Sequence, residues 1–483
     1  MVQLTGSEIG GEFLGRLQDA LRSSGGIAVT FDDAVFVGDV NFSGVAFENV
    51  SFNRTSFERD TRITPHAEFV GTRFAGNASF VDAVFHQANF SKATFEHDAS
   101  FEKAQFGSAT SFANATFDTA AHFDHAHFAA PDAPAVGSGF RREPPDDLPA
   151  AVDFTAAVFT GEAWFRSATF AAGGRFTHVS FSRRADFAQI NVGSRLDFDQ
   201  VTVGPELTIE TADAAPTVVT LNKLRLVGPT VIAAGDEVRL TIDGLVLVQP
   251  LTVKGHARLT SLQDATLMAP LTIGGDVALT DCSMLGSTGL EQLRLTGDPA
   301  WAKSRRRRRL ADERPRSWCQ AGCTTPNPEK VEAVYRQLRL GLESSKAAPA
   351  AADFYYGEME MRRFAAPCGV ERGLLATYKW FGGYGVRALR PFATYLALLA
   401  ITAAGFRCRT TYLVTDPKAA GDGLNLHHFG EAAAYVARNS ISLLSAPTTG
   451  LTAAGTFVLI AARFLAVTLL ALTVLALRAR VQR

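Results

Sequence analysis

Cysteine, tyrosine and tryptophan are scarce in this chain, and each scarcity closes off a class of answer. The five cysteines, at 282, 319, 323, 368 and 408, are odd in number and scattered, so no disulfide framework is implied. Cys319 and Cys323 have no second pair and no nearby histidine, which argues against a structural zinc site. The N-terminus has no basic start followed by an apolar run, so no signal peptide is read there and the front portion is expected to stay in the cytoplasm. There is no phosphate-binding glycine loop, nucleophile elbow or paired metal-ligand spacing. No enzyme is expected, and no catalytic residue, cofactor or metal. With 8 Tyr and 4 Trp against 36 Phe, the aromatic rings are of the kind that fill interior slots without a polar tip to satisfy.

What is present in quantity is a ladder of phenylalanines. From Phe31 to Phe128 they recur at steps of five or six residues, with Ile63 standing in the one vacant place. The ladder resumes at Phe154 and runs to Phe187 in strict alternation of five and six. Helices repeat apolar residues every three or four positions and strands every second one, so this period fits neither. It fits a coil that turns a corner at fixed intervals and buries one large side chain on each face. Two residues before most rings sits Ala, Val or another small residue, as in Ala83-Val84-Phe85 and Ala93-Thr94-Phe95.

In these units the sequence resembles the pentapeptide-repeat family, whose five-residue unit has Leu or Phe at its centre and a small residue two positions earlier. The resemblance covers about residues 27–187 and implies an all-β, right-handed β-helix with about four units per coil. The steps of six depart from the family's unit. After Phe198 the repeat changes to Pro205-Glu-Leu-Thr-Ile, Pro229-Thr-Val-Ile, Pro250-Leu-Thr-Val and Pro270-Leu-Thr-Ile, at spacings of 24, 21 and 20 residues. Coil length is kept while aliphatics replace Phe, so residues 27–297 read as one solenoid of roughly a dozen coils. The Pro-rich break at 129–153 reads as an excursion loop, since proline lacks the amide a sheet ladder needs. Residues 1–26 read as a cap whose helix, over 7–22, presents Ile9, Phe13, Leu17 and Leu21 on one side. His122, His125 and His127 cluster in sequence, but most positions off the ladder face solvent, so a metal site is not assigned to them.

Charge divides the chain. Residues 27–300 carry 19 Lys and Arg against 33 Asp and Glu, a balance of −14, and residues 301–483 carry 26 against 12, a balance of +14. A basic half beside apolar segments points towards a membrane surface. Residues 298–328, with the run Arg305 to Arg309, read as a basic linker, or as a contact for anionic lipid or nucleic acid. Juxtamembrane helices are expected over 329–387, one carrying Val331, Val334, Leu338 and Leu342 and a second beginning after Asp353. Tyr378, Trp380, Phe381 and Tyr384, mixed with Lys379, Arg387 and Arg390, are what a membrane interface selects. Two apolar runs, 391–406 and 451–477, read as transmembrane helices, with basic residues before the first and after the second placing both termini inside.

Between the spans, the amphipathic stretch 431–445 runs into Thr448-Thr449-Gly450-Leu451. The order of outer helix, short helix, Thr-Gly turn and inner helix, over about residues 390–480, resembles the two-helix potassium-channel pore domain, with the short segment re-entrant. That resemblance implies Thr448, Thr449 and Gly450 as filter, a monovalent cation as cargo and a homotetramer. This sequence lacks the family's filter aromatic and second glycine, which leaves potassium selectivity without support. Glu431 and Arg463 are the support residues: Arg463 either pairs with Glu431 or a short-helix carbonyl, or reaches the outer surface. The function expected is a multi-pass protein of the bacterial inner (plasma) membrane with a channel-like domain. Its cytoplasmic solenoid would be a sensor, an assembly scaffold or a binding face for an unidentified protein partner. The alternatives are a non-conducting anchor for that scaffold, and an acidic DNA mimic that binds topoisomerase. Nucleic acid itself is not expected as a partner.

Overall fold

Each phenylalanine of the ladder points inward, and four of them close one coil. A computed structural model describes the chain apart from residues 1, 24, 59–65, 108–109, 130–151, 194, 213–216, 237, 298, 305–306, 314–326, 346, 368, 388, 410–412, 416–427, 441–449 and 482–483. It divides the chain into two units, Met1–Pro326 and Asn327–Arg483.

In the first unit, short strands stack in parallel register on four faces. The first face carries Phe31, Phe52, Phe80, Phe101, Phe123, Phe165 and Phe187. The second carries Phe36, Phe57, Phe85, Phe106, Phe128 and Phe170, paired residue for residue. The third carries Phe42, Phe69, Phe90, Phe112, Phe154, Phe176 and Phe198. The fourth carries Phe47, Phe74, Phe95, Phe117, Phe159 and Phe181. Every one of these rings is at most 2% exposed. Rings on one face stack, as Phe74 on Phe95 at 4.5 Å, because their spacing is that of neighbouring strands. Rings on the opposed first and third faces meet edge to face across the core, as Phe90 and Phe101 at 5.4 Å, which the ring quadrupole favours.

The two step lengths have a geometric origin. Leaving the first or third face, the chain makes a tight turn in which the amide three residues after the Phe donates to the Phe carbonyl. Ala34 to Phe31 at 3.0 Å and Ala93 to Phe90 at 3.1 Å are examples. The second residue after the Phe is left-handed, as in Asp33, Lys92, Lys103, Asn114 and His125, with φ between 57° and 59°. The residue after it carries the small inward side chain of the next face. This corner has room for one length, and each step from a first- or third-face Phe is five residues. The steps of six all leave the second or fourth face; there Phe170 also accepts from the amide three residues on, Gly173 at 3.1 Å, but it is Gly173 and not the second residue that is left-handed. The two longest intervals between ladder residues follow the second-face Phe57 and Phe128; most of the expected excursion loop lies outside the described residues, and its last residues, Val152–Asp153, form a strand. Between these segments the coils still join in register, with Phe112 stacked on Phe154 at 4.9 Å.

Beyond Phe198 the stack continues in aliphatics. Phe187 pairs with Ile209, Phe198 with Leu221 and Phe181 with Val203; on the first face the large residues then shift to the line of Ala185, which runs through Leu207, Ile232, Val253 and Ile273 to Leu295, while Ile209 is followed by Ala234. Pro205, Pro229, Pro250 and Pro270 each stand just before a first-face strand, where a missing amide removes no ladder bond. Their carbonyls still serve: Pro250 accepts from Thr230 at 3.0 Å and Pro270 from Leu251 at 3.1 Å.

Both ends of the solenoid differ from the sequence reading. At the front, Val2–Gln3 and Glu8–Gly10 are strands paired with Ile27–Thr30 and Val35–Val37, so the stack begins before residue 27. Helix α1, Gly11–Ser23, starts later than expected. Ile9 is a buried strand residue, Leu14 and Leu21 are the buried helix positions, and Phe13 is half-exposed. At the rear, the expected linker begins as a hairpin. Ala302–Ser304 pairs antiparallel with Arg307–Arg309, with Trp301 and Leu310 buried beside it. Arg307 is buried and forms an ion pair with Glu313. Asp312 accepts from the Ser283 hydroxyl at 2.7 Å and the Met284 amide at 2.9 Å, which fastens the hairpin to the last coils. Asp312→Ala is expected to leave the Met284 amide without its acceptor, costing about 1–3 kcal/mol. The check is hydrogen exchange, with faster exchange confined to residues 279–296 and the Phe coils unchanged.

The second unit is helical. Helix α2, Pro328–Ser344, is capped by Asn327, whose side chain accepts from the Glu329 amide, and it pairs with α3, Ala348–Ala365. Helix α3 begins ahead of Asp353, since Pro349 in its first turn already opens it. Helix α4, Val370–Gly382, follows, then α5, Leu389–Cys408, α6, Phe429–Ser440, and α7, Ala453–Val481.

Candidate functional site

The residues that could carry function lie in the second unit, in two groups. The first surrounds Glu360 on α3. Its carboxylate is buried and accepts from Tyr384 Oη at 2.7 Å, Lys379 Nζ at 2.8 Å and Arg363 Nη2 at 3.3 Å. Burial alone would raise this carboxyl, but the hydrogen bonds from Lys379 and Tyr384 and the charges of Lys379 and Arg363 outweigh it and hold it below the ordinary range. Burial and the bond to Glu360 push the Tyr384 phenol up. Tyr384 reaches this place because Gly383, Tyr384 and Gly385 are left-handed in succession, with φ of 54°, 55° and 74°. Only glycine takes that conformation freely, so the strain at Tyr384 is held by its buried contacts with Glu360, Tyr356 and Tyr378. Two residues earlier on α3, Glu358 accepts from Arg336 at 3.2 Å and Arg339 at 2.9 Å, tying α2 to α3.

The second group lies among α5, α6 and α7. Ala403 and Phe406 of α5, Ala432, Tyr435 and Val436 of α6 and Leu459 of α7 form one apolar cluster. Arg463 of α7 is buried, and its Nη2 donates to Asn439 Oδ1 on α6 at 2.9 Å. The Asn439 amide nitrogen in turn donates to the Tyr435 carbonyl at 2.9 Å. Tyr395 of α5 lies 3.3 Å from the Ser440 hydroxyl. Asn439 is a partner for Arg463 that neither expectation named. Glu431 sits at the start of α6, eight residues from Asn439 along the helix. Thr448 and Thr449 lie outside the described residues. Gly450 is described, with φ 119°, and its carbonyl accepts from the Thr415 amide at 2.8 Å, part of a bridge that ties Val414 to Leu451.

On the solenoid, His122 stands 3.5 Å from Asp124 and is raised by their hydrogen bond, while His125 occupies a left-handed corner. Among the described residues no three of His, Cys, Asp and Glu gather to hold a metal ion.

Residues 69–109 and 90–131 match the family model described as pentapeptide repeats (9 copies). The first unit is a right-handed β-solenoid, and the pentapeptide-repeat match lies within it. The match falls on the most regular coils, while the aliphatic coils keep the geometry with other residues. No curated protein and no solved structure matches the chain. Nothing in sequence spacing marked the Glu360 group. The nearest signal was Gly382-Gly383-Tyr384-Gly385, a helix-stop composition with an aromatic inside it.

Proposed function

We propose that this chain is a membrane-anchored scaffold, with the pentapeptide-repeat solenoid as its cytoplasmic interaction surface and α5 and α7 as its anchor. The observation that carries the reading is the exposure of those two helices. Leu389–Cys408 and Ala453–Leu477 are long and apolar enough to cross a membrane, yet only 28% and 33% of their most apolar windows are buried. A core helix of a soluble protein would be mostly covered. Phe392, Leu396, Ile401, Phe457, Phe464 and Leu475 instead face outward, where lipid would accept them and water would not. Basic residues before α5 and after residue 477 favour the same side for both termini. In flotation with lipid vesicles, the full chain is expected to rise with the lipid and to resist alkaline extraction. A chain that stays soluble and monodisperse without detergent would end this reading.

A second reading is favoured by α6, a twelve-residue helix between the spans that ends beside the hydrogen bond from the buried Arg463 to Asn439. In this reading several copies, four by analogy, surround a path for a monovalent cation, with Thr448, Thr449 and Gly450 at its narrowest point. A tetramer in mild detergent that passes current in a planar bilayer would support it. A monomer without current would leave the anchor alone.

A further inference from the structure

Helix α4 has one apolar side that no described residue covers. Val370 is 80% exposed and Trp380 78%, and Leu374 and Phe381 are exposed with them. Positions 370, 374, 377 and 381 fall on one side of an α-helix. The opposite side is occupied: Lys379 reaches Glu360 on α3, and Gly382 is buried. The left-handed run Gly383–Gly385 stops α4 before α5 begins, so α4 cannot simply continue the first span.

Two observations say what covers this side. The first is its level. A Cβ on Gly382 would lie 3.9 Å from Leu472 Cδ1 of α7. Leu472 is five residues short of Leu477, where the apolar stretch of α7 ends. At 1.5 Å per residue, the end of α4 is therefore about 7–8 Å inside the end of that stretch, the depth at which in-plane amphipathic helices lie. The second is charge. Residues 362–390 carry six Lys and Arg against the single acid Glu371, which suits an anionic headgroup layer.

We propose that α4 is an in-plane membrane helix. Val370, Leu374, Trp380 and Phe381 enter the boundary between headgroups and acyl chains of an anionic leaflet, and the Glu360 group holds the other side of α4 to α3. This rests on the membrane reading of α5 and α7 and adds a third, surface-lying contact with the bilayer. The spans alone would leave the α2–α3 pair free to swing about the α5 terminus. A surface helix clamped to α3 fixes that pair against the membrane.

The test uses the full chain in vesicles of phosphatidylcholine and phosphatidylglycerol, with bromine placed on the acyl chains near the headgroup. Tryptophan emission is compared with that of Trp380→Phe, a conservative change at an exposed position. Bromine is expected to quench the parent chain, and the variant is expected to lose the greater part of that quenching. Quenching of Trp380 should also weaken when phosphatidylglycerol is replaced by phosphatidylcholine, and an unchanged value would overturn the anionic preference. If the chain floats with the vesicles but the parent and variant are quenched alike, α4 is not at the bilayer and the proposal fails while the spans stand. If the chain does not float, the membrane reading fails and takes the proposal with it. A second copy or another protein on this side of α4 would give the first of these two failures.

Discussion

Phe101→Ala is expected to cost the solenoid about 3–5 kcal/mol, the range for truncating a buried aromatic side chain. Phe101 is fully buried, stacked between Phe80 at 4.8 Å and Phe123 at 4.9 Å, and met edge-on by Phe90 and Phe112. Close-packed rings on every side leave little room for collapse, so most of the cavity should persist. Phe101→Asp should do more damage, because a carboxylate in that slot has no partner and must be neutralised or dragged out with its coil. In a solenoid each coil rests only on its neighbours, so the loss should be local at first. Hydrogen exchange of the detergent-solubilised chain is the measurement. Protection should fall for residues 78–128, and the coils beyond Phe198 should keep theirs. Phe13→Ala, at a half-exposed helix position, is the control and should stay within about 0.5 kcal/mol. Equal effects at the two sites would mean that ring stacking is not what holds the coils.

Glu360→Ala is the second large effect. Removing one partner of a buried ion pair costs about 3–5 kcal/mol, and the low end applies here because Lys379 keeps 29% of its side chain exposed and can regain water. The left-handed Tyr384 loses the hydrogen bond that holds it, so the corner from α4 to α5 should loosen. Exchange should rise over residues 355–387, with α6 and α7 unaffected. The pH dependence has a fixed sign. The Glu360 carboxyl lies below its ordinary 4.5 in the folded chain, so its contribution is full above that value and is lost as pH falls through the depressed one. Glu360→Gln should abolish this acid sensitivity of the corner. A corner equally acid-sensitive in Glu360→Gln would place the titrating group elsewhere.

The solenoid was legible because its signal is repeated. Each coil restates the same large and small inward residues, and a period of five or six excludes the ordinary elements. The prolines at 205, 229, 250 and 270 carried the reading past the last Phe for the same reason. The ends were not legible, because an end occurs once. The strand at Glu8–Gly10 has no repeat to belong to, and four-residue spacing from Ile9 to Leu21 suggested a longer helix than forms. The arginines at 307–309 looked like a solvated linker, since composition alone cannot show that Glu313 and the last coils receive them. In the helical unit the apolar runs marked the two helices long enough to cross a membrane. The partner of Arg463 depended on how α6 packs against α7, and a side-chain amide 24 residues away carries no local signal. Tyr384 was read as an interface aromatic by its company, whereas its left-handed backbone turns it inward onto Glu360.

The fixed and variable corners of the coil give the solenoid a seam. Of its four edges, the one after the third face keeps a turn of one length, the one after the first keeps it as far as Phe187, and a third has moved only between five and six residues. The edge between the second and third faces has taken in both long stretches of added chain, after Phe57 and after Phe128. A smaller addition falls in the same quarter: Thr211 to Val219 spans two residues more than Ile190 to Leu196 one coil earlier. Chain gained at that edge leaves the stack undisturbed, because the coils above and below close over the gap in register. The interior is therefore copied from coil to coil while one line along its outside is open to novelty. A scaffold of this kind can acquire new surface without renegotiating its core.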